Sequence, residues 1–74
     1  MTINEITDKD LREFSSWYKS FHGCKAVAAS VMVTCMTGYF KTYSKAAGKI
    51  LARCRSLKLV EVSNGMVTIA NNII

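Results

Sequence analysis

Basic side chains at four-residue intervals are the residues of this chain best suited to bind an anion. They are Lys41, Lys45, Lys49 and Arg53. Residues four apart lie on one face of a helix, so these charges would form one ridge and repel each other by a few tenths of a kcal/mol per pair. A bound anion relieves that repulsion, and Lys and Arg neutralise the phosphates of nucleic acids in this way.

The charged residues around this ridge are all basic. From Phe14 to Val60 the chain carries eight basic residues and no acidic one, and the 74-residue chain has a net charge of +5. This balance favours a polyanionic partner such as DNA, RNA or an acidic protein surface, without choosing among them. A basic face that is merely solvated is the simplest alternative.

A helix over residues 44–56 is predicted to position the ridge. Apolar residues recur there at spacings of three and four and occupy the side opposite the ridge. They are Ala46, Ala47, Ile50, Leu51, Cys54 and Leu57. The outer side combines the cations with two small residues, Gly48 and Ala52. Small side chains let a helix axis approach a nucleic-acid groove while Lys and Arg reach the phosphates on either side.

A first helix is predicted over residues 8–21, with Thr7 as its N-cap and Gly23 as its stop. Spacings of three and four predict its core stripe. The stripe comprises Leu11, Phe14, Tyr18 and Phe21. Trp17 lies at the edge of this stripe, which favours partly exposed packing or a contact with a second subunit or partner.

The apolar segment of residues 25–37 fits either a buried helix or a buried strand. Its length, its alanines and Gly38 as a terminator favour a helix, whereas Val27, Val31 and other β-branched residues favour a strand. We expect the helix. The apolar run is well short of the roughly 20 residues that span a bilayer, so no membrane segment is expected.

After residue 56 the apolar period changes to two, which is typical of strands. Ser63-Asn64-Gly65 separates two β-prone runs and predicts a hairpin over residues 58–70. A type I′ turn requires positive φ at both central residues, which Asn and Gly adopt readily.

Together these elements predict one domain over residues 1–74, mainly α with a C-terminal two-stranded hairpin, an α+β fold. A chain of this length builds one modest core and is close to the size at which it is marginally stable alone. We therefore expect a homodimer. Its candidate contacts are Trp17 and the apolar tail of Ile73 and Ile74.

The order of helix, buried helix, basic helix and hairpin resembles the winged helix-turn-helix superfamily. Residues 44–70, SKAAGKILARCRSLKLVEVSNGMVTIA, carry the resemblance. It implies that the basic helix enters the major groove and that the hairpin, or wing, lies against the flanking backbone. The residues then expected to contact DNA are Lys41, Ser44, Lys45, Lys49, Arg53, Arg55, Asn64 and Gly65.

We therefore expect sequence-specific double-stranded DNA binding by a small regulator, such as a repressor of bacterial, phage or plasmid type that occupies an operator. The alternative is a protein-interaction module or inhibitor of the same fold, which docks its basic face on an acidic partner protein. A third reading is single-strand binding by stacking on Tyr39, Phe40 and Tyr43 beside Lys41.

The cysteines and the histidine favour neither a metal centre nor catalysis. Cys24, Cys35 and Cys54 are an odd set in a chain without a secretory signal, which predicts reduced thiols in the cytoplasm of a bacterium or phage-infected host. His22 and Cys24 form one His-x-Cys pair, short of a zinc ligand set. So small a domain has little room for a pocket beside its core, so we expect no enzyme activity, metal or cofactor.

Overall fold

The computed structural model describes residues 5–70, which form three helices and a three-stranded antiparallel sheet. This confirms the predicted α+β class, with one strand more than the hairpin alone provides. In chain order the elements are α1 (Asp8–His22), β1 (Val27–Ala28), α2 (Ala29–Phe40), α3 (Ser44–Ser56), β2 (Val60–Ser63) and β3 (Met66–Ile69).

The hairpin forms as predicted, with β3 at the centre of a sheet ordered β1-β3-β2. Ser63 pairs with Met66, so the turn between β2 and β3 contains two residues. Asn64 and Gly65 have φ angles of 50° and 75°, the positive values that a type I′ turn requires.

The segment that fitted both a helix and a strand contains one of each. Val27 and Ala28 pair with Val67 and Met66 of β3, so α2 begins at Ala29 and not at residue 25. β-branched Val27 suits this pairing. The N–H of Ala29 donates a 2.9 Å hydrogen bond to the carbonyl oxygen of Gly65, which satisfies one of the free donors at the start of α2.

The end of α2 also lies beyond its predicted position. Gly38 is inside the helix, and the left-handed residue that ends it is Lys41, with a φ of 53°. The N–H of Thr42 closes the helix end on the carbonyl oxygen of Thr37 at 3.2 Å. A turn of three residues, 41–43, therefore joins α2 to α3.

A capping box starts α1 and confirms Thr7 as its N-cap. The Thr7 hydroxyl accepts from the Asp10 N–H, and the Asp10 carboxylate accepts from the Thr7 N–H at 2.9 Å. The helix ends at Gly23, whose φ is 69°. Phe21, predicted to be in the core, is 71 % exposed. It lies one turn after Trp17 and shares the border of the helix with that residue.

The core lies between the helices and one face of the sheet. Its largest fully buried side chains come from all three helices, from the residue before the N-cap of α1 and from β3. They include Ile6, Leu11, Phe14, Tyr18, Met32, Met36, Ile50, Val67 and Ile69. Over residues 5–70 no helix combines the length and apolar character needed to cross a membrane.

Candidate nucleic-acid interface

The structure gives α3 the bounds predicted from the sequence and orients it as the apolar pattern requires. Its buried residues are Ala46, Ala47, Ile50 and Cys54. The opposite side, here called the outer face, is exposed along the whole helix. The outer face consists of Ser44, Lys45, Gly48, Lys49, Ala52, Arg55 and Ser56.

No side chain of residues 5–70 caps the N-terminus of α3. Tyr43 occupies the N-cap position and makes no side-chain capping bond. Ser44 is therefore the first helical residue, and its exposed hydroxyl is not used as a cap. No acidic residue lies in the first turn. The partial positive charge of the helix start thus adds to the charges of Lys41 and Lys45.

Three of the four ridge residues are exposed together. Lys45 and Lys49 are one turn apart on α3, about 6 Å along its axis. Lys41 lies in the turn before the helix. Their ammonium groups are the mobile, solvent-facing charges that phosphate neutralisation requires.

The Arg53 side chain does not extend into solvent beside the three lysines. Its guanidinium donates a 2.7 Å hydrogen bond to the carbonyl oxygen of Ile6 and a 3.2 Å bond to the Asp8 carboxylate. Arg53 therefore ties α3 to the start of α1, and its charge is partly offset by Asp8. The four-residue spacing predicted a common role for all four cations. The contact of Arg53 with Ile6 joins residues 47 positions apart in the chain, so no local sequence pattern predicts it.

A shallow groove separates α3 from β2. It encloses about 580 Å³ and is lined by Gly48, Leu51, Ala52, Arg55, Ser56 and Val62. The sequence prediction included Arg55 but missed the part of Leu51 and Val62, because their apolar side chains read as core. Leu51 and Val62 are partly buried against the core, and the apolar period does not separate such groove-lining positions from fully buried ones.

Gly48 has no internal reason to be glycine. Its φ is not positive, and apart from neighbouring backbone no heavy atom of residues 5–70 lies within 4 Å of where its Cβ would stand. An interior glycine costs a helix about 1 kcal/mol relative to alanine. The outer face of α3 is therefore flatter at Gly48 than folding requires.

The tip of the hairpin has the predicted geometry but little charge. Asn64 and Gly65 are exposed, and the Gly65 carbonyl already accepts the Ala29 N–H. Residues 60–69 contain no Lys or Arg and one acid, the exposed Glu61. The polar groups that the tip can offer a ligand are the Asn64 amide and the Ser63 hydroxyl.

The predicted interface residues fall into two groups. Trp17 is 37 % exposed and belongs to an aromatic cluster with Phe21 and Tyr39, at ring-centroid distances of 5.2 and 5.0 Å. Ile73 and Ile74 lie outside the described residues. Of the aromatics considered for single-strand stacking, Phe40 is buried in the core and Tyr39 packs on Phe14. Only Tyr43 of those three is freely exposed, so they form no common platform.

The thiols and the histidine are dispersed. Cys24, Cys35 and Cys54 are free, and burial raises the pKa of the Cys54 thiol to about 11 despite the neighbouring Arg53 charge. The His22 ring packs on Tyr18 at 4.5 Å. Within residues 5–70 no three His, Cys, Asp or Glu side chains are grouped so that they could hold a metal ion.

No protein-family model, curated protein or solved structure matches this chain.

Proposed function

We propose that the chain is a sequence-specific double-stranded DNA-binding protein of the winged-helix type. It would act as a transcriptional regulator, most simply a repressor that occupies an operator in a bacterial or phage-infected cell. The observation that carries the proposal is the outer face of α3, where Gly48 and Ala52 form a flat strip between exposed cations. The short turn between α2 and α3 and the sheet order support it.

The strip and its flanks match the two requirements of groove binding. The major groove is about 12 Å wide and admits an α-helix, and small side chains on the leading face let the helix axis come closer to the bases. Lys45 and Lys49 lie on one side of the strip and Arg55 lies on the other. They would meet phosphates on the two strands, with Lys41 at the entrance.

Base reading would fall to the residues on the leading face. Ser44 and Lys45 offer hydrogen-bonding groups near the N-terminus of α3, where recognition helices contact base edges. Ala52 offers a methyl group for the C5-methyl of thymine, and Lys49 can reach guanine acceptors. Arg53 is held by Ile6 and Asp8, so its role is to fix the angle of α3.

The test is a titration of labelled random duplex and single-stranded DNA at several salt concentrations. Phosphate contacts by all four cations predict a slope of log affinity against log salt of about −3.6 for duplex, and each cation that contacts a base instead makes the slope shallower by about 0.9. Binding to single strands should be weaker. Selection from a randomised duplex library would then recover an operator. Duplex binding that is absent at low salt would overturn the proposal.

A second function, docking on an acidic protein, is favoured by one feature. The hairpin beside α3 carries Glu61 and no cation, which suits a mixed-charge protein surface better than a phosphate backbone. Under this alternative the basic face would bind an acidic partner, and the DNA titration would show no duplex affinity at any salt concentration.

A further inference from the structure

We propose that the aromatic cluster of Trp17, Phe21 and Tyr39 is a homodimer interface, in which Phe21 of one copy inserts into a hollow beside Glu13 of the other. This inference concerns a surface outside the proposed DNA contacts, apart from Lys41 at its border. It starts from the exposure of Phe21, which is 71 %, with Trp17 and Tyr39 at 37 % and 38 %.

The cluster is a continuous apolar patch and not three isolated side chains. Trp17 contacts both other rings, and Tyr39 also packs edge-on against the buried Phe14 at 5.0 Å. The rings are thereby held in position by the core. Their exposed area is on the order of 300 Å² if each ring can bury about 200 Å². A stable interface buries about 800 Å² per partner, so the patch can form its apolar centre and not the whole.

A hollow of about 360 Å³ adjoins the patch. It is lined by Asp10, Glu13, Tyr39, Phe40 and Lys41. Along α1, Glu13 lies four residues before Trp17 and Phe21 lies four residues after it. Phe21 and Glu13, which lines one side of the hollow, therefore lie about one turn to either side of Trp17 along α1.

This spacing is what a two-fold interface requires. When two copies of α1 pack antiparallel about an axis at Trp17, the positions four residues to either side exchange, so each Phe21 faces the other copy's Glu13. Both contacts form at once. A partner of different sequence would have to reproduce both the ring and the hollow, whereas a second copy already carries them.

The chemistry of the hollow suits an aromatic ring. The edge of an aromatic ring is positive and its face is negative. The Glu13 carboxylate can approach the edge, and the Lys41 ammonium can approach the face. The two acids and one cation of the hollow also give this surface a local negative charge, which limits repulsion between two chains of net charge +5.

The experiment is analytical ultracentrifugation of the full chain without DNA, from micromolar to millimolar concentration. We expect a dimer whose dissociation constant rises about tenfold or more in Phe21→Ala. The matched control is Tyr43→Ala, which removes an aromatic ring of similar exposure, 69 %, outside the patch. Trp17 is the only tryptophan, so its emission should shift to the blue on dimerisation in the control and not in Phe21→Ala.

A double-mutant cycle locates the contact. Glu13 and Phe21 are about 12 Å apart within one helix, so they should not couple in the unfolding of the monomer. In the dimer they should couple, because each faces the other across the axis. The interface would be overturned if the chain stayed monomeric or if the coupling energy were near zero. It would also be overturned if the dimer dissociation constants of Phe21→Ala and Tyr43→Ala were equal. Since DNA is absent, none of these results depends on the proposed function.

Discussion

The Arg53 guanidinium donates a 2.7 Å hydrogen bond to the carbonyl oxygen of Ile6, a residue whose side chain is buried in the core. The bond joins the last turns of α3 to the residue that precedes the capping box of α1. The Asp8 carboxylate, 3.2 Å away, holds the same guanidinium from a second side. Arg53, which the sequence pattern placed among the DNA contacts, thus fixes the position of α3 relative to α1.

Replacing Arg53 by alanine should destabilise the fold. A hydrogen bond to a charged group contributes about 1.5–3 kcal/mol, and an exposed ion pair adds less than about 1 kcal/mol. We expect Arg53→Ala to lower the free energy of unfolding by about 2 kcal/mol in urea denaturation. Asp8→Asn, which removes the ion pair alone, should cost a few tenths. Equal stability of Arg53→Ala and the parent chain would refute this role.

Gly48→Ala should change the stability of the fold and the affinity for DNA in opposite directions. Alanine should raise the free energy of unfolding by about 0.5–1 kcal/mol, because the helix interior gains propensity and the site has open space. Its methyl group should nevertheless weaken duplex binding, since it lies on the leading face of α3. Gly38→Ala in α2 is the matched control, as its Cβ site is equally open. It should leave DNA affinity unchanged. Unaltered affinity in Gly48→Ala would remove the close approach from the proposal.

Charge reversal at Lys49 should reduce duplex affinity at least about tenfold and make the salt slope shallower by about one. The domain should stay folded because the side chain is exposed. Arg12→Glu makes the same change on an exposed position of α1 and serves as the control. If both variants bound DNA equally well, bulk charge and not the outer face of α3 would explain the binding.

Stability should fall between about pH 9 and 11. Burial raises the pKa of the Cys54 thiol from 9.0 to about 11, so the folded chain retains a proton that the unfolded chain loses. This contribution is fully present below pH 9 and is lost as the pH rises towards 11, by about 2–3 kcal/mol. Burial also raises the pKa of Tyr18, which acts in the same direction at higher pH. Unfolding followed against pH in the parent chain and in Cys54→Ala checks the cause, since the variant should show a smaller decline.

Local signals in the sequence identified the parts of the fold that local physics determines. The apolar period of α3, the Thr7 cap, and the Asn64-Gly65 turn all act within a few residues, and each appears as predicted. The boundary between β1 and α2 does not, because Val27 becomes a strand residue only through pairing with Val67, 40 residues later in the chain. Lys41, an unexpected left-handed residue, likewise ends α2 because the turn to α3 requires it.

The candidate site likewise has some features that local sequence patterns predict and others that depend on tertiary packing. The exposure of Lys45, Lys49 and Arg55 follows from the helical period alone. The engagement of Arg53 by Ile6 and the exposure of Phe21 depend on how α1 lies against the other elements. Neither could be read from residue spacing, and each changed the proposed role of a residue.

The bond between the Ala29 amide and the Gly65 carbonyl anchors the turn of the hairpin to the start of α2. The hairpin is thereby fastened near its tip by two neighbouring contacts, the pairing of β1 with Met66 and Val67 and this bond to α2. A wing held in this way is preorganised, so ordering it adds little entropy cost when a ligand binds. A ligand that displaced the wing tip would also pull on the first turn of α2, and the two would respond as one rigid unit.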